Sequence, residues 1–121
     1  MAVKTIKTYS IYKTSDGRIF DDKTEANDWE SLLGNFTNVV MLDKDFNKIT
    51  DYNTDKAIYV YIKTTDAINA FNKIQKYRGN CSVGSIVNRW HYYDVDKHKY
   101  IDIFYEMTRL SAIGQNLDNY L

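Results

Sequence analysis

The sequence predicts an α+β fold in a single domain over residues 1–121: a small antiparallel sheet with a short N-terminal helix, a central helix and a long C-terminal helix. Three observations carry that expectation. Continuous or alternating apolar runs at 39–42 and 57–63, and aromatic-rich runs at 90–94 and 98–101, have the period of strands. Apolar residues at 26, 29 and 33, and again at 67, 70, 71 and 74, recur with the period of helices between capping residues. The tail from Asp102 steps by four and three through Ile103, Met107, Leu110, Gly114, Leu117 and Leu121, which is a heptad-type helical seam.

Taken in order, residues 5–13 alternate loosely and predict a strand, with Ile6 out of step with Tyr9 and Ile11. Thr14, Ser15, Asp16 and Gly17 form a turn, because Gly tolerates the positive φ that a tight hairpin requires. Residues 18–20 return. Asp22 and Glu25 have the spacing of a capping box, so a helix starts there and runs to Leu33, with Gly34 as its stop. Ala26, Trp29 and Leu33 share its buried face, which Phe36 continues.

A strand at 39–42, a turn at 43–47 and a return at 48–50 follow, then a loop at 51–56. The strand at 57–63 carries Ile58, Val60 and Ile62 on one face and Tyr59 and Tyr61 on the other, so it is expected to be central. Thr65 is read as the N-cap of the central helix. Ala67, Ala70, Phe71, Ile74 and Tyr77 form its buried stripe, and Gly79 ends it. Residues 80–89 are small and polar and read as a loop before the last hairpin. The tail seam suits packing on the domain's own sheet and equally suits a helix–helix contact with a second copy.

Composition removes several function classes. Sixteen basic residues balance sixteen acidic ones, which argues against a duplex-DNA or RNA binder and against an acidic disordered tail. There is no Pro, where average usage of about 5% would give roughly six, so proline-rich linkers and ligands are excluded. One Cys makes no internal disulfide and suits a reducing compartment. Residues 1–15 carry three lysines and no apolar core of signal-peptide length. The longest apolar run, 57–62, falls far short of the ~20 residues that cross a bilayer, so a cytoplasmic protein is expected.

The candidates for catalysis and metal binding are weak. Asp43, Asp45 and Asn47 imitate the start of a calcium loop, but Lys48 stands where Gly is needed and Thr54 where Glu is needed. Asp51, Asn53 and Asp55 fail in the same way, with Lys56 and Ile62. Asp94, Asp96 and His98 alternate as metal ligands would on a strand, yet a turn there breaks the geometry. Cys81 and His91 have the chemistry of a nucleophile and a base, but nothing in the sequence brings them together. No nucleophile elbow, zincin, Walker or dinucleotide-binding motif is present, so no catalytic residue, metal or cofactor is assigned and the chain is read as a non-enzyme.

Arginine is more informative. Lys outnumbers Arg twelve to four, which singles out Arg18, Arg78, Arg89 and Arg109. A guanidinium grips phosphate bidentately and stacks on aromatic faces, and an aromatic with an Arg is the minimal kit for a base and its phosphate. Arg78 closes the central helix, Arg89 precedes Trp90, and Arg109 follows Tyr105 by four residues on the tail helix. On chemistry and location the ligand-binding candidates are Phe71, Arg78, Trp90, Tyr105 and Arg109; the spacing of Phe71 also fits the core.

The stretches YKTSDGRIF at 12–20 and KTEANDWE at 23–30 look like the opening of many small phage proteins: strand, S-D-G turn, aromatic, capped helix. Length, element order and expected tail helix make the chain resemble the phage anti-Thoeris sponge family, which sequesters cyclic ADP-ribose signals. The resemblance implies a non-enzymatic protein binding glycocyclic ADP-ribose made by bacterial TIR-domain enzymes. It also implies a homodimer or higher oligomer in the host bacterial cytoplasm, with ligand pockets at subunit interfaces. The alternative is a phage inhibitor acting by direct contact with a host or defence protein, which the eleven tyrosines suit as large amphipathic contact residues.

Overall fold

The computed structural model describes residues 10–102 and 116–121. The chain begins with a two-stranded antiparallel hairpin, β1 (Tyr12–Lys13) and β2 (Ile19–Phe20), in which Tyr12 pairs with Phe20. Gly17 adopts φ 87° at its tip, as the S-D-G signal predicts. Helix α1 (Lys23–Gly34) starts at Asp22, whose carboxylate accepts from the Thr24 and Glu25 amides; Glu25 itself stays exposed. Gly34 does not stop the helix in a left-handed turn. Its φ is −58°, and the chain tightens directly into a 3₁₀ turn at Asn35–Asn38.

A four-stranded antiparallel sheet follows, in the order β3 (Val39–Leu42), β4 (Tyr59–Ile62), β5 (Trp90–Asp94), β6 (Lys99–Asp102). The expected return strand at 48–50 shrinks to one bridge between Leu42 and Lys48. Between β4 and β5 lies α2 (Thr65–Arg78), capped one residue earlier than expected by the Thr64 hydroxyl, which accepts from the Ala67 amide. Gly79 ends it at φ 74°, a left-handed position that suits Gly. Tyr77, expected in the buried stripe, is 60% exposed.

Strand register sorts the side chains by face. Val60 pairs with His91, and Val60, Ile62 and Met41 pack with Ile68 and Phe71 of α2 in the main core. Val40, Tyr61 and Trp90 stand in one cross-strand row, and Leu42, Tyr59, Tyr92 and Ile101 in another, on the opposite face. A third cluster joins Phe20, Trp29 and Leu33 to Ile74, so the hairpin and α1 pack on a separate side of α2.

The fold class needs correction at the C-terminus. A long helix from Asp102 to Leu121 was expected, but Asp102 is the last residue of β6. Asn116 is extended (φ −122°, ψ 106°), and Leu117–Tyr120 form a 3₁₀ turn. A continuous helix accommodates neither end. Asn116 is the reason at the C-terminal end, because its side chain accepts from the Asp118 amide and caps a new turn. Ile103, Met107, Leu110 and Gly114 of the seam lie outside the described residues. Among the described residues no helix is long and apolar enough to cross a membrane.

Candidate functional site

Of the five residues selected for ligand binding, the structure places three and scatters them. Phe71 is 0% exposed, between the sheet and Phe36, with ring centroids 6.2 Å apart. It is a core residue and presents nothing to a ligand, which corrects its assignment. The reason is its spacing: Ala67, Phe71 and Ile74 share the helix face turned to the sheet.

Arg78 sits in a polar cleft of about 430 Å³, but its guanidinium is already committed. It pairs with Asp16 at 3.0 Å, donates to the Tyr52 carbonyl at 2.6 Å and to the Thr54 hydroxyl at 3.0 Å. Asp51 and Asp55 line the same cleft, so three carboxylates face one guanidinium. That balance repels a dianionic ligand. Arg78 is therefore reassigned from phosphate contact to fastening the hairpin, the 51–56 loop and α2 together.

Asp16 is the centre of that fastening. Its side chain is 6% exposed and accepts from the Thr14 hydroxyl, the Trp29 indole N–H at 2.9 Å and Arg78. Burial alone would raise its pKa. The hydrogen bonds from Thr14, Trp29, the Arg18 amide and Arg78 outweigh burial and hold it below the ordinary carboxylate value.

Trp90 lies on the sheet face away from α2. It is 4% exposed and its indole N–H reaches Asp118 at 3.2 Å. Tyr105 and Arg109 lie outside the described residues. Cys81 and His91, considered as a nucleophile and base, engage different backbone carbonyls: the thiol faces His98 and the imidazole faces Ile86. Asp94 accepts from the Asp96 and Lys97 amides, so it serves the hairpin turn. Among the described residues no group of three His, Cys, Asp or Glu side chains is placed to hold a metal ion.

The candidate surface is the aromatic face around Trp90, on the sheet side away from α2. Tyr59 and Trp90 form its buried floor, with Leu117 packed against them. Tyr61 and Tyr92 remain half-exposed, tilted against Trp90 (5.3 Å) and Tyr59 (5.5 Å). Phe46 stacks on Tyr59 at 4.9 Å with an interplanar angle of 18°, and Tyr120 lies beyond it at 6.5 Å and the same angle.

Two backbone outliers flank this face. Phe46 has φ 63°, a region that costs most L-residues about 1–2 kcal/mol, and Asn88 has φ 57°, which Asn tolerates. Phe46 uses it to lay its ring on Tyr59. Asn88 uses it to donate its amide to the Ile62 carbonyl at 2.8 Å while its side-chain oxygen faces the Tyr61 hydroxyl at 3.5 Å. The 43–47 turn, closed by the Phe46 amide on the Asp43 carbonyl and the Asp43 amide on the Asn47 carbonyl, holds Phe46 in its left-handed conformation. Sequence reasoning missed both residues. The available signal was an aromatic inside the D-K-D-F-N turn at 43–47, beside a strand already rich in tyrosine.

No protein-family model, no curated protein and no solved structure matches this chain.

Proposed function

We propose that this chain is a non-catalytic phage protein that binds and sequesters a cyclic ADP-ribose-type nucleotide on its aromatic sheet face. It does so as a homodimer or higher oligomer in the host bacterial cytoplasm, and so inhibits Thoeris (TIR) defence. The observation that supports this reading is the pair of half-exposed rings, Tyr61 beside Trp90 and Tyr92 beside Tyr59, extended by Phe46 stacked on Tyr59. Flat rings in that setting are platforms for a base, and stacking contributes about 1–3 kcal/mol per base. The resemblance, which without the expected tail helix rests on chain length and the opening motif, supplies the nucleotide class and the defence role. With Arg78 committed to Asp16, this reading assigns the phosphates to Arg109.

The test is mass spectrometry of small molecules released by heat from the protein purified from cells with an active TIR system. An intact cyclic nucleotide, absent when a Tyr61→Ala/Tyr92→Ala variant is purified, is expected. A cleaved product would replace sequestration with hydrolysis, and no released nucleotide would overturn the reading.

A second reading, direct contact with a host or defence protein, is supported by the outer face of the N-terminal hairpin. There Ile11 and Ile19 are 67% and 59% exposed. Capture of one stoichiometric protein from host lysate by the nucleotide-free chain, lost in Ile19→Asp, would favour it.

A further inference from the structure

The three described arginines are used in three different ways. Arg78 is bound to Asp16, Tyr52 and Thr54, and Arg89 pairs with Asp102 at 2.8 Å. Arg18 stands apart. Its guanidinium carbon lies 3.6 Å from the Tyr77 ring centroid, 4.3 Å from Phe20 and 4.4 Å from Trp29. Trp29 and Tyr77 meet edge-on at 67°, and Phe20 supplies a third wall.

Among the described residues the guanidinium makes no hydrogen bond and no ion pair. The nearby carboxylates are turned elsewhere. Asp16 gives its oxygens to Thr14, Trp29 and Arg78, and Glu30 accepts from the Ser15 amide and hydroxyl. The Arg18 backbone is fixed independently, since its carbonyl accepts from the Thr14 amide at 2.8 Å and its amide faces Asp16. Arg18 is of intermediate exposure, and its guanidinium, stacked on rings, keeps five N–H donors without a protein acceptor. Three rings fix where the guanidinium sits and leave its donor fork uncommitted. That removes much of the ordering cost an arginine otherwise meets when it grips a ligand.

We infer that Arg18, held by Phe20, Trp29 and Tyr77, is an oxyanion-binding site that takes a carboxylate or phosphate group in bidentate fashion. The exposed face of Tyr77 offers a flat apolar neighbour for whatever carries the oxyanion. The site lies with the hairpin and α1 and is separate from the aromatic sheet face, so it stands whether or not nucleotide sequestration does.

The experiment follows the arginine side-chain Nε–Hε resonances of the intact wild-type chain during titration with phenyl phosphate in one arm and benzoate in the other. Saturable shifts at Arg18, with Arg78 and Arg89 unmoved, are expected in at least one arm; the responding arm names the ligand group. The folded Arg18→Lys variant, which keeps the charge but loses the fork, should bind at least tenfold more weakly. No shift at Arg18 in either arm, equal shifts at all three arginines, or undiminished binding by Arg18→Lys would overturn the site. The wild-type titration decides the matter even if the variant fails to fold.

Discussion

On its α2 side the four-stranded sheet presents Met41, Val60 and Ile62 to Ile68 and Phe71, all 3% exposed or less. On the other side it presents Tyr59, Tyr61, Trp90 and Tyr92, and Tyr61 and Tyr92 stay half-exposed. The first face is mostly aliphatic and closed by one amphipathic helix, so its contribution is apolar area removed from water. The second leaves two of its large rings half-exposed and holds Phe46 in a costly backbone conformation beside them. The contrast teaches that the helix side of the sheet carries stability, while the aromatic side is the one the proposed recognition would use.

The largest expected effect lies on the closed face. Phe71→Ala should lower unfolding free energy by about 3–5 kcal/mol, because the ring fills a site with no solvent outlet. Urea denaturation followed by circular dichroism measures it. A change below about 0.5 kcal/mol would mark Phe71 as a surface-like residue and break the division between the faces.

Next comes the fastening between hairpin and α2. Asp16→Asn should cost about 1.5–3 kcal/mol at neutral pH, as expected for hydrogen bonds to a charged group. Its pH dependence has a definite sign. The folded pKa of Asp16 is depressed, so the carboxylate contributes fully above the unfolded value of about 3.9 and loses its contribution as pH falls through the folded value. The urea midpoint of the wild type should therefore fall more steeply between pH 5 and 3 than that of Asp16→Asn; parallel curves would show the carboxylate to be unimportant.

These two positions show why part of the molecule was legible in sequence and part was not. Asp22, Gly79 and the apolar runs at 39–42 and 59–62 act through neighbours a few residues away, so spacing exposes them. The bond between Asp16 and Arg78 spans 62 residues, and no local pattern encodes it. Arg78 therefore looked like a free cation at a helix end. The tail misled for the opposite reason. Its three–four spacing satisfied a helical period, while Asn116, whose side chain competes for backbone amides, carried the interruption without disturbing that period. Phe46 escaped notice because left-handed backbone at an aromatic residue has no compositional mark, and Asn88 because Asn is as common in ordinary loops as in that conformation.

His91 tests the closed face more gently. It stands opposite Val60 and is 5% exposed. Burial lowers its pKa and the nearby Arg89 adds to that, against opposing contributions from the Ile86 carbonyl and Asp102. A neutral buried imidazole binds its proton less readily than the unfolded chain does. Stability is therefore full above the unfolded pKa of about 6.5 and declines as pH falls from there toward the folded value. His91→Gln should flatten the dependence of the urea midpoint between pH 7.5 and 5.5. An unchanged slope would place the titrating group elsewhere.

Phe46→Asn gives the smallest stability change and the sharpest separation of the faces. Asn tolerates the left-handed backbone that Phe46 holds at φ 63°, which recovers part of a strain of about 1–2 kcal/mol. The same substitution removes the stack on Tyr59, a loss of about 0.5–1.5 kcal/mol. The two nearly cancel, so the melting temperature should barely move. Nucleotide affinity should nevertheless fall, because the third ring of the platform is gone. Calorimetric titration with the co-purified nucleotide, run beside a thermal melt, reads both quantities. A variant that melts well above the wild type and binds as tightly would show that the strain at Phe46 serves neither face, and the assignment of recognition to the aromatic side would lose its second support.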